Sequence, residues 1–90
     1  MPWISARSAD KLVIGRCLRM GMGSVLRIES FKGDRWLEIR RLDNDEFEVT
    51  EHGFNDSRTI VDLEALKPTI KRLLSIEFPR SHQLRINSTW

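Results

Sequence analysis

Val25-Leu26-Arg27-Ile28-Glu29-Ser30-Phe31, Lys32-Gly33-Asp34 and Arg35-Trp36-Leu37-Glu38-Ile39-Arg40-Arg41-Leu42 form the stretch whose pattern decides the fold. Both arms alternate with a period of two, which sends successive side chains to opposite faces of a strand. Leu26, Ile28, Leu37 and Ile39 fall on one face, while Arg27, Glu29, Phe31, Trp36, Glu38 and Arg40 fall on the other. Gly33 supplies the positive φ that a tight connection needs. The pattern predicts a β-hairpin with one apolar face and one charged, aromatic face.

The same alternation continues past a turn at Asp43-Asn44-Asp45. Glu46 to Glu51 reads as a third strand, with Phe47 and Val49 inward and Glu48 and Thr50 outward. Residues 52–57 read as a loop, and Thr59-Ile60-Val61 as one more short strand. From Asp62 the period becomes helical: Leu63, Leu66, Ile70, Leu73 and Leu74 form one stripe. Asp62 suits the N-cap, and Lys71 and Arg72 in the last turns suit the negative end of the helix dipole. Pro68 removes a backbone donor, so the spacing predicts a loose first turn and regular helix to about Ser75.

Toward the N-terminus, Leu12-Val13-Ile14-Gly15-Arg16 is a β-rich run and Gly21-Met22-Gly23-Ser24 a turn or flexible connector. The first eleven residues are polar and small, and are expected to fray. Leu84-Arg85-Ile86 fits a final edge strand or a tail, within a C-terminal extension over residues 76–90. The expected architecture is α+β: an antiparallel sheet of four to five strands followed by one helix, in a single domain over residues 1–90.

Composition limits the function classes. A chain of 90 residues suits one core, and 40% hydrophobic content is too high for a disordered chain. No apolar run reaches the ~20 residues of a membrane span, and the first residues lack the apolar core of a secretory signal. A lone cysteine, Cys17, forms no internal disulfide, which favours a reducing compartment: the cytoplasm, or the nucleus of a eukaryote. The net charge of +2 conceals three blocks: +5 over residues 1–42, −7 over 43–64 and +4 over 65–90.

Catalysis finds little support in the residues. His52 and His82 belong to no spacing that pairs a base with a nucleophile, and each reads as a solvated loop histidine. One cysteine and two distant histidines offer no metal set, and Cys17 reads better as a small core residue than as a thiolate between Arg16 and Arg19. Gly21-Met22-Gly23-Ser24 lacks the Lys-Ser/Thr ending of a phosphate loop. The expectation is a non-enzyme without cofactor or metal.

The outer face of the hairpin is more informative. Arg27, Phe31, Trp36 and Arg40 interleave cations with aromatics, and Lys32 stands at the tip. Single-stranded nucleic acid needs that mixture, since bases stack on rings while Lys and Arg track phosphates.

Leu12-Val13-Ile14-Gly15-Arg16 followed by Val25 to Arg40, with Phe31-Lys32-Gly33 at its centre, resembles the transcriptional coactivator "positive cofactor four" family. Ser57-Arg58-Thr59-Ile60-Val61-Asp62 leads into the helix much as that family's last strand does. The resemblance implies a strongly curved sheet, a homodimer formed through the helix, and single-stranded DNA lying across the strands in a transcription-related role. It carries binding roles onto Phe31, Lys32 and Arg40, and onto Arg27 and Arg58. The chain departs from the pattern at Asp34, at Asp43 and over the acidic block to Glu51, and residues 76–90 have no counterpart.

The expected function is therefore binding of single-stranded DNA or RNA. Lys32, Arg27, Arg40 and Arg58 would sit on phosphates, and Phe31 and Trp36 against bases. The alternative is a protein-interaction module, in which the acidic strand docks a basic partner or an exposed strand edge pairs with a peptide. A third reading buries the Trp36 face in a larger assembly. The charge map discriminates: acidic strand and basic hairpin on one face would disfavour nucleic acid.

Overall fold

The alternation of residues 25–40 becomes the middle of an antiparallel sheet in the computed structural model. The structure describes residues 3–5, 8–30, 32–53, 56–78 and 83–89. Among them, six strands and two helices follow in the order β1 (Trp3–Ser5), α1 (Ala9–Arg19), β2 (Val25–Glu29), β3 (Trp36–Asp43), β4 (Glu46–His52), β5 (Asp56–Asp62), α2 (Leu63–Glu77) and β6 (Gln83–Thr89). The strands form one open sheet in the order β1-β6-β2-β3-β4-β5, with every neighbouring pair antiparallel. The fold is α+β, as expected.

The predicted faces hold strand by strand. Leu26, Ile28, Leu37, Ile39, Phe47 and Val49 are buried on the inner face, joined there by Val61, Leu84 and Ile86. Leu26 sits opposite Ile39, and Ile28 opposite Leu37, so the hairpin register aligns its two apolar rows. The hairpin loop is held by Ser30, whose carbonyl accepts from the Gly33 N–H at 3.0 Å and whose hydroxyl donates to Asp34 Oδ1 at 2.9 Å. Gly33 has φ +75°, the conformation for which glycine was expected there.

Several expectations are corrected. Leu12–Arg16 lies inside α1, not in a strand, and residues 9–11 are its first turn rather than a frayed leader. The buried residues Ala9, Val13, Cys17 and Met20 recur every three or four positions, a helical stripe that the β-branched pair Val13-Ile14 masks. Asp10 in the first turn and Arg16 and Arg19 in the last complement the dipole of α1. The sheet therefore carries two helices instead of one, and the resemblance loses the strand it places before the hairpin.

Helix α2 starts at Asp62 as predicted, with Oδ1 accepting from the Ala65 N–H at 2.8 Å. It runs unbroken from Leu63 to Glu77 past Pro68, which stands exposed, so the loose first turn is not needed. On that exposed side, water can take the carbonyl bond that the missing proline N–H leaves open. The buried stripe is Leu66, Ile70 and Leu73; Leu63 is 39% exposed and stands outside it. Because the helix continues to Glu77, Lys71 and Arg72 are not in its last turn; Lys71 reaches Asp10 of α1 at 3.9 Å instead. Strand β6 is not an edge: it pairs with β1 on one side and β2 on the other.

One charged side chain on the inner side ties these layers together. Arg41 follows Leu37 and Ile39 on β3, and its guanidinium lies 5.3 Å from the centre of the Phe47 ring. Nη1 donates to the carbonyls of Met20 at 2.9 Å and Leu18 at 3.3 Å, and Nη2 to that of Asn44 at 3.0 Å. It thus satisfies acceptors at the C-terminal end of α1 and places a cation where the helix dipole favours one. The Arg41 N–H and carbonyl also bond Ser24 and Gly23, so the α1–β2 connection is stitched to β3.

Cys17 beneath it is fully buried. Loss of solvent pushes its thiol up to about 12, with the nearby Arg41 charge opposing the shift.

Two outcomes follow. Arg41→Met keeps the apolar stem but strands several carbonyls, and should lower the urea-unfolding free energy by about 1–3 kcal/mol. Arg41→Lys should restore only part, because one ammonium lacks the planar fork. For Cys17 the folded state holds the neutral thiol. Its contribution to stability is whole below the ordinary value of 9.0 and is lost as pH rises toward about 12. Alkaline melts of wild type and Cys17→Ala should converge over that window, and a thiol reagent should label Cys17 only on unfolding.

Candidate interaction face

The helices cover one side of the sheet; the other carries the outward residues of every strand. Strand register arranges them in rows that cross the sheet. One row reads Arg85, Glu29, Trp36, His52 and Asp56, from β6 to β5. The next reads Asn87, Arg27, Glu38, Thr50 and Arg58, and the third sets Val25, Arg40, Glu48 and Ile60 side by side. Arg27, Trp36 and Arg40 are thus brought to one face, as the alternation implied, and Arg58, which the resemblance had added, joins them there. Lys32 is exposed in the hairpin loop beyond the first row. Phe31 lies outside the described residues.

Trp36 stands at the centre of this face with company on both sides. From β2 the Arg27 guanidinium lies over its ring, 4.3 Å from the centroid. From β4 the His52 imidazole stacks on it, with centroids 4.9 Å apart and planes 19° from parallel. The ring is half-buried and its π-faces already have partners inside the chain.

The charges are also matched locally. Arg27 reaches Glu29 at 3.0 Å and Glu38 at 3.4 Å; Arg85 lies 3.9 Å from Glu29; His52 Nδ1 lies 2.9 Å from Asp56. Arg40 stands opposite Glu48 across the β3–β4 ladder. The acidic strand and the basic hairpin therefore share one face. Glu29, Glu38, Glu46, Glu48, Asp56 and Asp62 interleave with Arg27, Arg40, Arg58 and Arg85, so among the described residues no continuous positive track forms. In the hairpin loop, the Ser30 hydroxyl holds the exposed Asp34 carboxyl below its usual range, which keeps a further anion beside Lys32.

Between β3 and β5 the surface dips into a shallow depression of about 460 Å³, lined by Trp36, Thr50, His52, Asp56 and Arg58 among others. His52, Asp56 and Ser57 are close in sequence but do not form a hydrolytic triad. Ser57 belongs to the inner side of β5 and donates its hydroxyl to Glu51 Oε1 at 3.0 Å. Among the described residues no group of three His, Cys, Asp or Glu could hold a metal, and no helix is long and apolar enough to cross a membrane.

Beside the depression runs β5, one margin of the sheet. Among the described residues it bonds only β4, and its residues Asp56 to Ile60 are all exposed. Ile60 shows 59% of its surface. The sequence reading did not single out this edge, and it placed His52 in a loop where the structure makes it the last residue of β4. His52 continues the phase of Glu48 and Thr50 by one more step, so extending the third strand past Glu51 would have found it.

The Arg27–Trp36 contact should be measurable by a double-mutant cycle with Arg27→Ala and Trp36→Leu. A coupling of about 0.5–1 kcal/mol is expected at this half-exposed site. Additive losses would show that the stacked arrangement contributes nothing.

Comparison of the chain with protein-family models, curated proteins and solved structures found no match.

Proposed function

We propose that the chain is a protein-interaction module that takes up an extended segment of a partner along β5. The observation that carries this is the β5 edge itself: seven residues, with Asp56 to Ile60 exposed in succession and only one ladder made. Edges of this kind present a row of unused backbone donors and acceptors, and are commonly blunted by proline, a bulge or charged side chains, lysine above all. Asp56-Ser57-Arg58-Thr59-Ile60-Val61-Asp62 has neither proline nor lysine, its register against β4 is continuous, and its three charges are of both signs, which a complementary strand can match. Main-chain pairing would give affinity, and side chains on the outer face would select the partner. Ile60 calls for an apolar neighbour, and the depression by Trp36 and His52 leaves room for one side chain of the added strand.

The outer face argues for a peptide over a nucleic acid. Phosphates laid across β2 and β3 would meet Glu29, Glu38 and Glu48 beside each arginine, and bases would have to displace Arg27 or His52 to reach Trp36. Among the described residues the opposite edge, β1, spans Trp3–Ser5 and offers a shorter ladder.

Selection of extended peptides from a random displayed library tests the reading. Enriched peptides should bind the wild-type chain and lose about tenfold or more in affinity for Ile60→Lys, which sets a charge in the middle of the edge. A labelled oligothymidylate should bind weakly even at low salt. Tight oligonucleotide binding with a steep salt dependence, unchanged by Ile60→Lys, would overturn the proposal in favour of nucleic acid.

A further inference from the structure

We infer that the strand β5 accepts is β5 of a second copy, joining two sheets antiparallel about a two-fold axis at Ile60. This rests on the reading of β5 as a docking edge and names its occupant.

The argument is one of register. A two-fold pairing centred on a residue keeps the outer faces of both sheets on one side, because opposing residues in an antiparallel ladder share a face. Asp56, Arg58, Ile60 and Asp62 all belong to the outer face, by their pairing with His52, Thr50, Glu48 and Glu46. Centring on Thr59 would set Asp56 against Asp62 of the other copy. Centring on Arg58 would set two arginines against each other. Centres at Ser57 or Val61 would pair only three residues.

Centring on Ile60 alone gives a five-residue ladder, 58 to 62, with complementary partners throughout. Ile60 meets its own copy at the axis, covering a side chain that is 59% exposed. Arg58 meets Asp62 of the second copy, and symmetry makes that ion pair twice. On the inner side Thr59 meets Val61. Asp62 is suited to both tasks: Oδ1 caps α2 through the Ala65 N–H, and its second oxygen remains to face an arginine. A self-complementary patch is what an isologous dimer requires. This dimer would not use α2, whose stripe of Leu66, Ile70 and Leu73 is packed in the chain's own core.

Sedimentation velocity from micromolar to millimolar concentration should show a monomer–dimer equilibrium. Ile60→Lys and Arg58→Glu change only exposed side chains, so the fold should persist; each should weaken dimerisation by about tenfold or more. Ile60→Cys in a Cys17→Ala background should cross-link to its own copy on mild oxidation, since opposing residues in such a ladder lie within disulfide range. Lys32→Cys in the same background should not.

A wild-type chain that stays monomeric at millimolar concentration overturns self-pairing, as does a dimer indifferent to Ile60→Lys. If in the monomeric case selected peptides still bind the wild-type chain and not Ile60→Lys, the docking edge stands and only its occupant was wrong. If peptides fail too, both readings fall.

Discussion

One-sided burial is the constraint on which the rest of this structure depends. Leu26, Ile28, Leu37, Ile39, Phe47 and Val49 form an inner face with at most 1% exposure, and each such side chain contributes about 1.5–3 kcal/mol when removed from water. A face this broad needs a cover wider than one helical stripe. Helix α2 lies over β4 and β5 and beside α1, and α1 adds Ala9, Val13, Cys17 and Met20 to the same core. Arg41 holds the arrangement at its corner, where α1 ends and the β3–β4 turn begins. Its charge is acceptable so near the core because carbonyls from the end of α1 and from the β3–β4 turn accept its N–H groups.

The outer face follows from the same alternation with the opposite chemistry. On the side away from the described helices, Arg27 pairs with Glu29 and Glu38, His52 Nδ1 lies against Asp56, and Arg40 stands opposite Glu48. Such pairs are individually weak in water. Together with the Arg27–Trp36–His52 stack they make this face mixed in charge rather than a track for phosphate. What they leave unsettled is the margin, where β5 ends the sheet with its backbone groups and Ile60 facing solvent.

Where local periodicity agreed with burial, the sequence was legible. The hairpin, its Gly33 turn, β4 and the Asp62 cap could all be read because each needs only neighbours within a few residues. Two elements misled. The run Leu12-Val13-Ile14 has strand propensity, but a short apolar run fits a buried helix equally well, and α1 forms because its wider stripe packs on α2 and the sheet. Leu84-Arg85-Ile86 looked like an edge; its place inside the margin comes from β1, near the start of the chain. Arg41 was visible as a cation in phase with Leu37 and Ile39, yet its partners at the end of α1 lie about twenty residues upstream and leave no local signal.

The sequence by itself determined which residues of each hairpin strand face inward, where α2 begins, and that the fold is α+β. These are consequences of period, turn chemistry and capping, all short-range. Only the tertiary structure decided strand order, and with it which residues share a surface. Arg27, Trp36, Arg40 and Arg58 do share a face, but so do the acids of β4. Period says only that a residue points outward; the register of strands far apart in sequence sets what stands beside it. The basic hairpin and the acidic strand are separate along the chain and interleaved on the outer face, because an antiparallel sheet lays each strand against one of different composition.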